Sequence, residues 1–109
     1  MAEGSSLSAV VDFEKVPVII NNIKEYVDQK CVPGGTNRNW DSYGEKISAI
    51  TDYQKAILAD PQTSGGLLVA VDKNAIEEVK NILVQHDLEK FCTPIGKMIA
   101  ATNKKIEIN

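Results

Sequence analysis

Ala59-Asp60-Pro61-Gln62-Thr63-Ser64-Gly65-Gly66-Leu67-Leu68-Val69-Ala70-Val71 couples a polar turn to an uninterrupted apolar run. Asp60 can accept hydrogen bonds from turn amides, Pro61 fixes φ, and Gly65-Gly66 allow a tight path into the apolar residues. Leu67–Val71 shows no polar alternation, so it predicts a strand buried on both faces and therefore central in a sheet.

Downstream, Asn74-Ala75-Ile76-Glu77 has the spacing of a capping arrangement, and Ala75, Ile76, Val79, Ile82 and Leu83 form an apolar stripe at helical spacing. That helix is predicted to end near His86. Pro94–Ala101 suits a strand, Asn103-Lys104 a turn, and Ile106 and Ile108 a final edge strand. Upstream, Thr51-Asp52-Tyr53-Gln54 has capping-box spacing and starts a helix to about Leu58, with room for a short strand over Lys46–Ile50. Thr36 can cap a short helix that Gly44 stops in the left-handed conformation. Ile19, Ile20, Ile23, Tyr26 and Val27 predict a helix from about Pro17 to Gln29, and Leu7–Phe13 suits an opening strand. Strands and helices so distributed predict an α+β fold: one mixed β-sheet with helices packed on it.

The length of 109 residues fits one domain and leaves no room for a complete multi-domain enzyme. Twelve Lys+Arg against fifteen Asp+Glu give a net charge of −3, which supplies no basic field for nucleic acid or an anionic membrane. No apolar run approaches the roughly 18 residues of a membrane span, and Met1–Ser6 lacks the basic and apolar regions of a signal peptide. Cys31 and Cys92 form no metal-binding pattern with the single histidine, His86, and the simplest expectation is two reduced cysteines in a cytoplasmic protein. No metal site is expected.

Two stretches offer more donors than packing requires. In Gly34-Gly35-Thr36-Asn37-Arg38-Asn39, the glycine pair lets amides converge ahead of a helix, a geometry that favours anions, and Arg38 adds a planar fork suited to phosphate or carboxylate. In the second, Asp60, Gln62, Thr63, Ser64, Gly65 and Gly66 place a carboxylate, an amide and two hydroxyls on one loop. A Gly-Gly turn and ordinary turn chemistry account for most of both. Neither is a Walker A loop, because no Gly-Lys-Ser/Thr follows the glycines. His86 suits a helix C-terminus, Trp40 with Tyr43 a packing pair, Glu77-Glu78 a helix first turn, and Cys31 a spectator thiol.

Together, Val32-Pro33-Gly34-Gly35-Thr36-Asn37-Arg38-Asn39 and Ala59–Val71, in this order and spacing, resemble the selenophosphate synthetase (selenide, water dikinase) family. The similarity runs from Ser8-Ala9-Val10-Val11-Asp12-Phe13 through Pro94-Ile95-Gly96, and it matches only that family's C-terminal domain. The resemblance implies the C-terminal fold shared with aminoimidazole ribonucleotide synthetase-like enzymes. It implies a fragment, residues 1–109, of a longer two-domain enzyme that makes selenophosphate, AMP and orthophosphate from ATP, selenide and water, with Mg²⁺ on the phosphates.

The family's catalytic Cys or selenocysteine, its Lys and its metal-binding aspartates belong to the N-terminal domain or to the segment preceding this chain. No catalytic role therefore passes to any residue here, Cys31 and Cys92 included. What carries over is an ATP/phosphate cleft wall built from Gly34, Gly35, Thr36, Arg38, Asn39, Asp60, Gln62, Thr63, Ser64, Gly65 and Gly66. The implied partners are the missing N-terminal domain, ATP and selenide, within a homodimer, and the fragment alone is expected to bind no cofactor and to be inactive. Two other readings stay open: the C-terminal domain of another ATP-dependent enzyme of the superfamily, or a non-catalytic anion-binding or assembly module.

Overall fold

Ser8-Ala9-Val10-Val11 is the central strand, and its chemistry explains why the rest of the sheet gathers there. The computed structural model describes residues 1–109. β1 (Ser8–Val11) lies between β2 (Gly96–Ile99), antiparallel to it, and β3 (Ile106–Ile108), parallel to it. The register sets Ser8 against Ile99 and Val11 against Gly96 on one side, and Ala9 against Ile106 on the other. The chain from β2 to β3 must therefore turn around the N-terminal end of β1.

Ser8 makes that turn possible. Its fully buried hydroxyl donates to Lys104 O at 2.8 Å and accepts from Thr102 N–H at 3.0 Å, clamping the β2–β3 connection onto β1. Ser8→Ala leaves the Thr102 N–H without a partner, while Lys104 O keeps the Thr102 hydroxyl at 2.7 Å, and is expected to cost about 1–3 kcal/mol, read as a shift of the urea midpoint at unchanged m-value.

Four helices come after β1 in sequence before the sheet resumes: α1 (Ile23–Asp28), α2 (Gly34–Tyr43), α3 (Asp52–Leu58) and α4 (Ile76–Gln85). The result is an α+β fold with a mixed sheet. The Thr51 capping box forms as its spacing predicts: Gln54 N–H donates to Thr51 Oγ1 at 3.2 Å, and Thr51 N–H donates to Gln54 Oε1 at 2.9 Å. α3 lies against α1 and α2. Phe13 and Tyr53 meet edge to face with ring centroids 5.8 Å apart.

Several expectations are corrected. Leu67–Val71 forms no strand, and Leu67, Leu68 and Val69 are 95%, 66% and 63% exposed. An apolar run needs strand neighbours to become a strand, and the place at the sheet centre is taken by β1. α1 begins at Ile23 rather than near Pro17, because the β-branched stretch Val16–Ile20 stays extended or irregular, with Ile19 almost fully exposed. Lys46–Ile50 supplies only a single parallel bridge, Ile47 to Ile106, beside β3.

The caps also differ. α2 starts at Gly34 with Pro33 as its N-cap, since Thr36 N–H already donates to Pro33 O at 3.0 Å, so Thr36 sits inside the first turn. Gly44 is right-handed at φ −60°, and a Cβ there would come within 2.6 Å of the Trp40 ring. It is a glycine for close approach rather than for left-handed backbone. Trp40 thus lies on Gly44 and beneath the Lys55 ammonium, and Tyr43 is exposed instead of paired with it. α4 is capped by Ala75 without a side-chain bond, while Asp72 Oδ1 accepts from Asn74 N–H at 2.8 Å in the preceding turn.

Only small residues are buried, among them Ala2, Ala9 and Ala56, and only Ser8 and Thr36 are buried completely. The Cα radius of gyration is 15.1 Å, against about 13 Å expected for a closed domain of this length. Large apolar side chains are therefore left open to solvent.

Candidate functional site

The two donor-rich stretches converge. α3 ends at Leu58, and the chain turns through Ala59-Asp60-Pro61 directly onto the first turn of α2. A Cβ on Gly35 would lie 2.7 and 2.8 Å from the Pro61 ring carbons, so only a residue without a side chain fits this crossing. Asn39, one turn along α2, donates from Nδ2 to Ala59 O at 2.9 Å and ties the two elements together.

Beside this junction is an open cleft of about 710 Å³. Asn39, Asp60, Gln62 and Thr63 contribute its polar wall, and Val16, Ile57, Leu58 and Leu68 its apolar wall. Leu68 belongs to the apolar run that follows the glycine pair, whereas Val16, Ile57 and Leu58 carry no sequence signal because nothing local marks them as parts of one wall.

The remaining candidates stand around the cleft rather than in its lining. Gly35 lies behind Pro61, and Thr36 is 1% exposed with its hydroxyl unbonded. Arg38 is exposed, with Nη2 on the Gly35 side of α2. Gly34, Ser64, Gly65 and Gly66 are exposed, and Gly65 closes tightly over the Gln62 side-chain oxygen. The amides of Gly34 and Gly35 donate to no acceptor within the chain, as befits the first turn of a helix. The local chemistry is therefore one guanidinium, unpaired amides and neutral polar groups around a single carboxylate, Asp60, a set suited to an anion with an attached apolar or aromatic body.

No three His, Cys, Asp or Glu side chains come together anywhere in the chain. Cys31 and Cys92 are free thiols, the former exposed. His86 is the C-cap residue of α4, and Glu77 and Glu78 occupy its first turn. The displaced proton affinities lie in exposed ion pairs away from the cleft: Glu3 is held below the usual carboxylate range by its hydrogen bond and charge contact with Lys46, whose own affinity rises. Lys24 is raised likewise by Asp28.

Comparison with known proteins bears on this arrangement. Residues 1–109 match the family described as AIR synthase related protein, C-terminal domain. The chain belongs to that family. Among curated relatives, it is 48% identical over 103 residues to a selenide, water dikinase of Shewanella sp. strain MR-4, covering 94% of this chain and 28% of the relative. A selenide, water dikinase of Haemophilus influenzae is 49% identical over 98 residues, covering 90% and 28%. One from Colwellia psychrerythraea is 44% identical over 108 residues, covering 99% and 30%. The chain thus spans less than a third of the length of these relatives. As a member of the AIR synthase related C-terminal family it carries the α+β fold described above, and no helix in it is long and apolar enough to cross a membrane.

Proposed function

We propose that this chain is the C-terminal domain of a selenide, water dikinase, a cytoplasmic enzyme that converts ATP, selenide and water into selenophosphate, AMP and orthophosphate. The supporting observation is the Gly35–Pro61 crossing. It joins the two loops that carry the resemblance into one cleft, in a chain that is nearly half identical to selenide, water dikinases along its whole length.

Phosphoryl transfer depends on positioning and on neutralising developing negative charge. Arg38 and the first-turn amides of α2 are the groups here that can meet a nucleotide's phosphates, while Asn39 on the same helix and Gln62 and Thr63 on the facing loop offer neutral hydrogen bonds. Asp60 is the only carboxylate lining the cleft, and no cluster of His, Cys, Asp or Glu side chains joins it, so this domain could supply at most one protein ligand to a Mg²⁺ held on nucleotide phosphates. Metal binding is accordingly assigned to the remainder of the enzyme, and no step is routed through a metal on this domain. The catalytic nucleophile belongs there too, and the partners are that remainder, ATP and selenide, within a homodimer.

The tests are kinetic. In the full-length enzyme, Arg38→Ala removes a charge-assisted contact, expected to lower kcat/KM for ATP on the order of tenfold or more. Thr63→Ala removes a neutral hydrogen bond and should cost about two- to tenfold. Wild-type kinetics in both variants would reduce the cleft to a structural junction. The purified 109-residue protein is expected to form no AMP from ATP in the presence of selenide.

A further inference from the structure

Thr36 carries a hydroxyl that is sealed from solvent and has no hydrogen-bond partner. Ser8, the other completely buried side chain, uses its hydroxyl in both senses, as donor to Lys104 O and as acceptor from Thr102 N–H. A buried hydroxyl left alone has lost its hydration with no bond in exchange, so the Thr36 oxygen weakens the fold as it stands.

Its place in α2 shows where a partner is to be found. A helical threonine can return its hydroxyl to the carbonyl three or four residues back, here Pro33 or Val32, and Thr36 does neither. Thr36 and Asn39 are three residues apart and share a face of the helix. On that face Asn39 Nδ2 donates to Ala59 O at 2.9 Å, and on the near side of Thr36 Gly35 meets the Pro61 ring. Thr36 therefore lies between two contacts with the same turn, Ala59-Asp60-Pro61, which leads directly into Gln62 and Thr63. The turn has acceptors to spare. The carbonyls of Asp60 and Pro61 accept no hydrogen bond within the chain, and Ala59 O accepts only that of Asn39. One junction thus holds a donor without an acceptor and acceptors without a donor.

We infer that Thr36 is a positioning residue, whose hydroxyl donates to a carbonyl of the Ala59–Pro61 turn when the cleft holds its phosphate-bearing ligand and so fixes Gln62 and Thr63 against that ligand. The inference rests on the proposed role of the cleft in holding ATP. A small displacement of the turn over α2 joins the pair. The bond exists only in the shifted arrangement, so the free energy it releases favours that arrangement and appears as ligand affinity. Thr36 touches no phosphate itself; it acts through the loop that it holds.

Thr36→Val tests this, because it keeps the shape of the side chain and removes the hydroxyl. Stability and function are expected to move in opposite directions. The 109-residue variant should melt about 4–8 °C above the wild-type chain, since it no longer buries an unpaired hydroxyl. In the full-length enzyme the same change should raise KM for ATP about three- to tenfold and leave kcat within about twofold, as the loss of an interaction common to bound substrate and transition state does. Thr36→Ser keeps the hydroxyl and should bring KM back to within about twofold of wild type. A Thr36→Val chain that melts at or below wild type would show that the hydroxyl is already satisfied, and an unchanged KM would show that the loaded cleft does not use it; either result overturns the inference. Equal increases in KM for the Val and Ser variants overturn it as well, by assigning the effect to packing. A wild-type full-length enzyme that turns over no ATP would instead remove the proposed function, and this inference with it, while the melting difference between the two chains would remain.

Discussion

Gly96→Ala is expected to destabilise the chain more than alanine at any other glycine, by about 2–4 kcal/mol, lowering the melting temperature by roughly 10–25 °C. A Cβ at this position would lie 2.2 Å from Val10 O and 3.0 Å from Val11 Cα, both backbone atoms of the central strand. A flexible side chain could swing aside, but a ladder carbonyl cannot. β2 must then draw away from β1 or bulge, and either response breaks hydrogen bonds in a sheet of only three strands. No glycine in the chain has positive φ, so the effect owes nothing to forbidden backbone angles. Gly4→Ala is the control, because its new methyl meets nothing within 4 Å. It should change stability by no more than about 0.5 kcal/mol. Thermal unfolding of the two variants side by side measures the difference, and a Gly96→Ala melting curve that overlays the Gly4→Ala curve would remove the close approach as an explanation.

Glycines show which part of such a structure can be read from residues alone. A local rule has Gly44 end α2 in the left-handed conformation; it is instead right-handed and makes room for the Trp40 ring. Gly96 gives no signal at all, since the carbonyl it admits belongs to a strand more than eighty residues away in sequence. By contrast, the Thr51–Gln54 box and α3 after it are legible because donor and acceptor lie within one turn. The α4 stripe is legible for the same reason, although its predicted cap is not, because Asp72 captures the Asn74 amide first. Pattern encodes what neighbours in sequence do to one another. Which strand sits at the centre is decided by partners, and Leu67–Val71, the segment with the strongest strand composition, loses that place to Ser8–Val11.

The cleft divides along the same line. Its loops stand out in the sequence for an excess of donors and glycines, and their order and spacing carry the resemblance. That they touch, at Gly35 and Pro61, is a property of how α3 returns onto α2, and neither residue announces the other. The apolar wall of Val16, Ile57, Leu58 and Leu68 is assembled from separate parts of the chain, and only Leu68 among them lies in a motif.

Gly35→Ala should therefore separate stability from activity. In a helix alanine is favoured over glycine by about 1 kcal/mol. Crowding against the Pro61 ring, with the new Cβ at 2.7 and 2.8 Å from its carbons, opposes that gain. The proline ring is held by its own backbone and has no rotamer that clears the contact, so relief comes from shifting the Asp60–Thr63 loop away from α2. The two contributions nearly cancel, and unfolding free energy is expected to change by less than about 1 kcal/mol. The cleft has no such compensation. A displacement approaching 1 Å at a positioning loop can cost on the order of a hundredfold in rate, so the full-length enzyme should lose about ten- to a hundredfold in kcat/KM for ATP. Gly34→Ala is the companion variant: its methyl meets nothing within 4 Å, and its amide is kept. It should retain kcat/KM within about threefold while gaining slightly in stability, as alanine does in a helix. Equal losses in both variants would mean that glycine is needed for something other than the Pro61 crossing. An unimpaired Gly35→Ala enzyme would mean that the crossing does not shape the site.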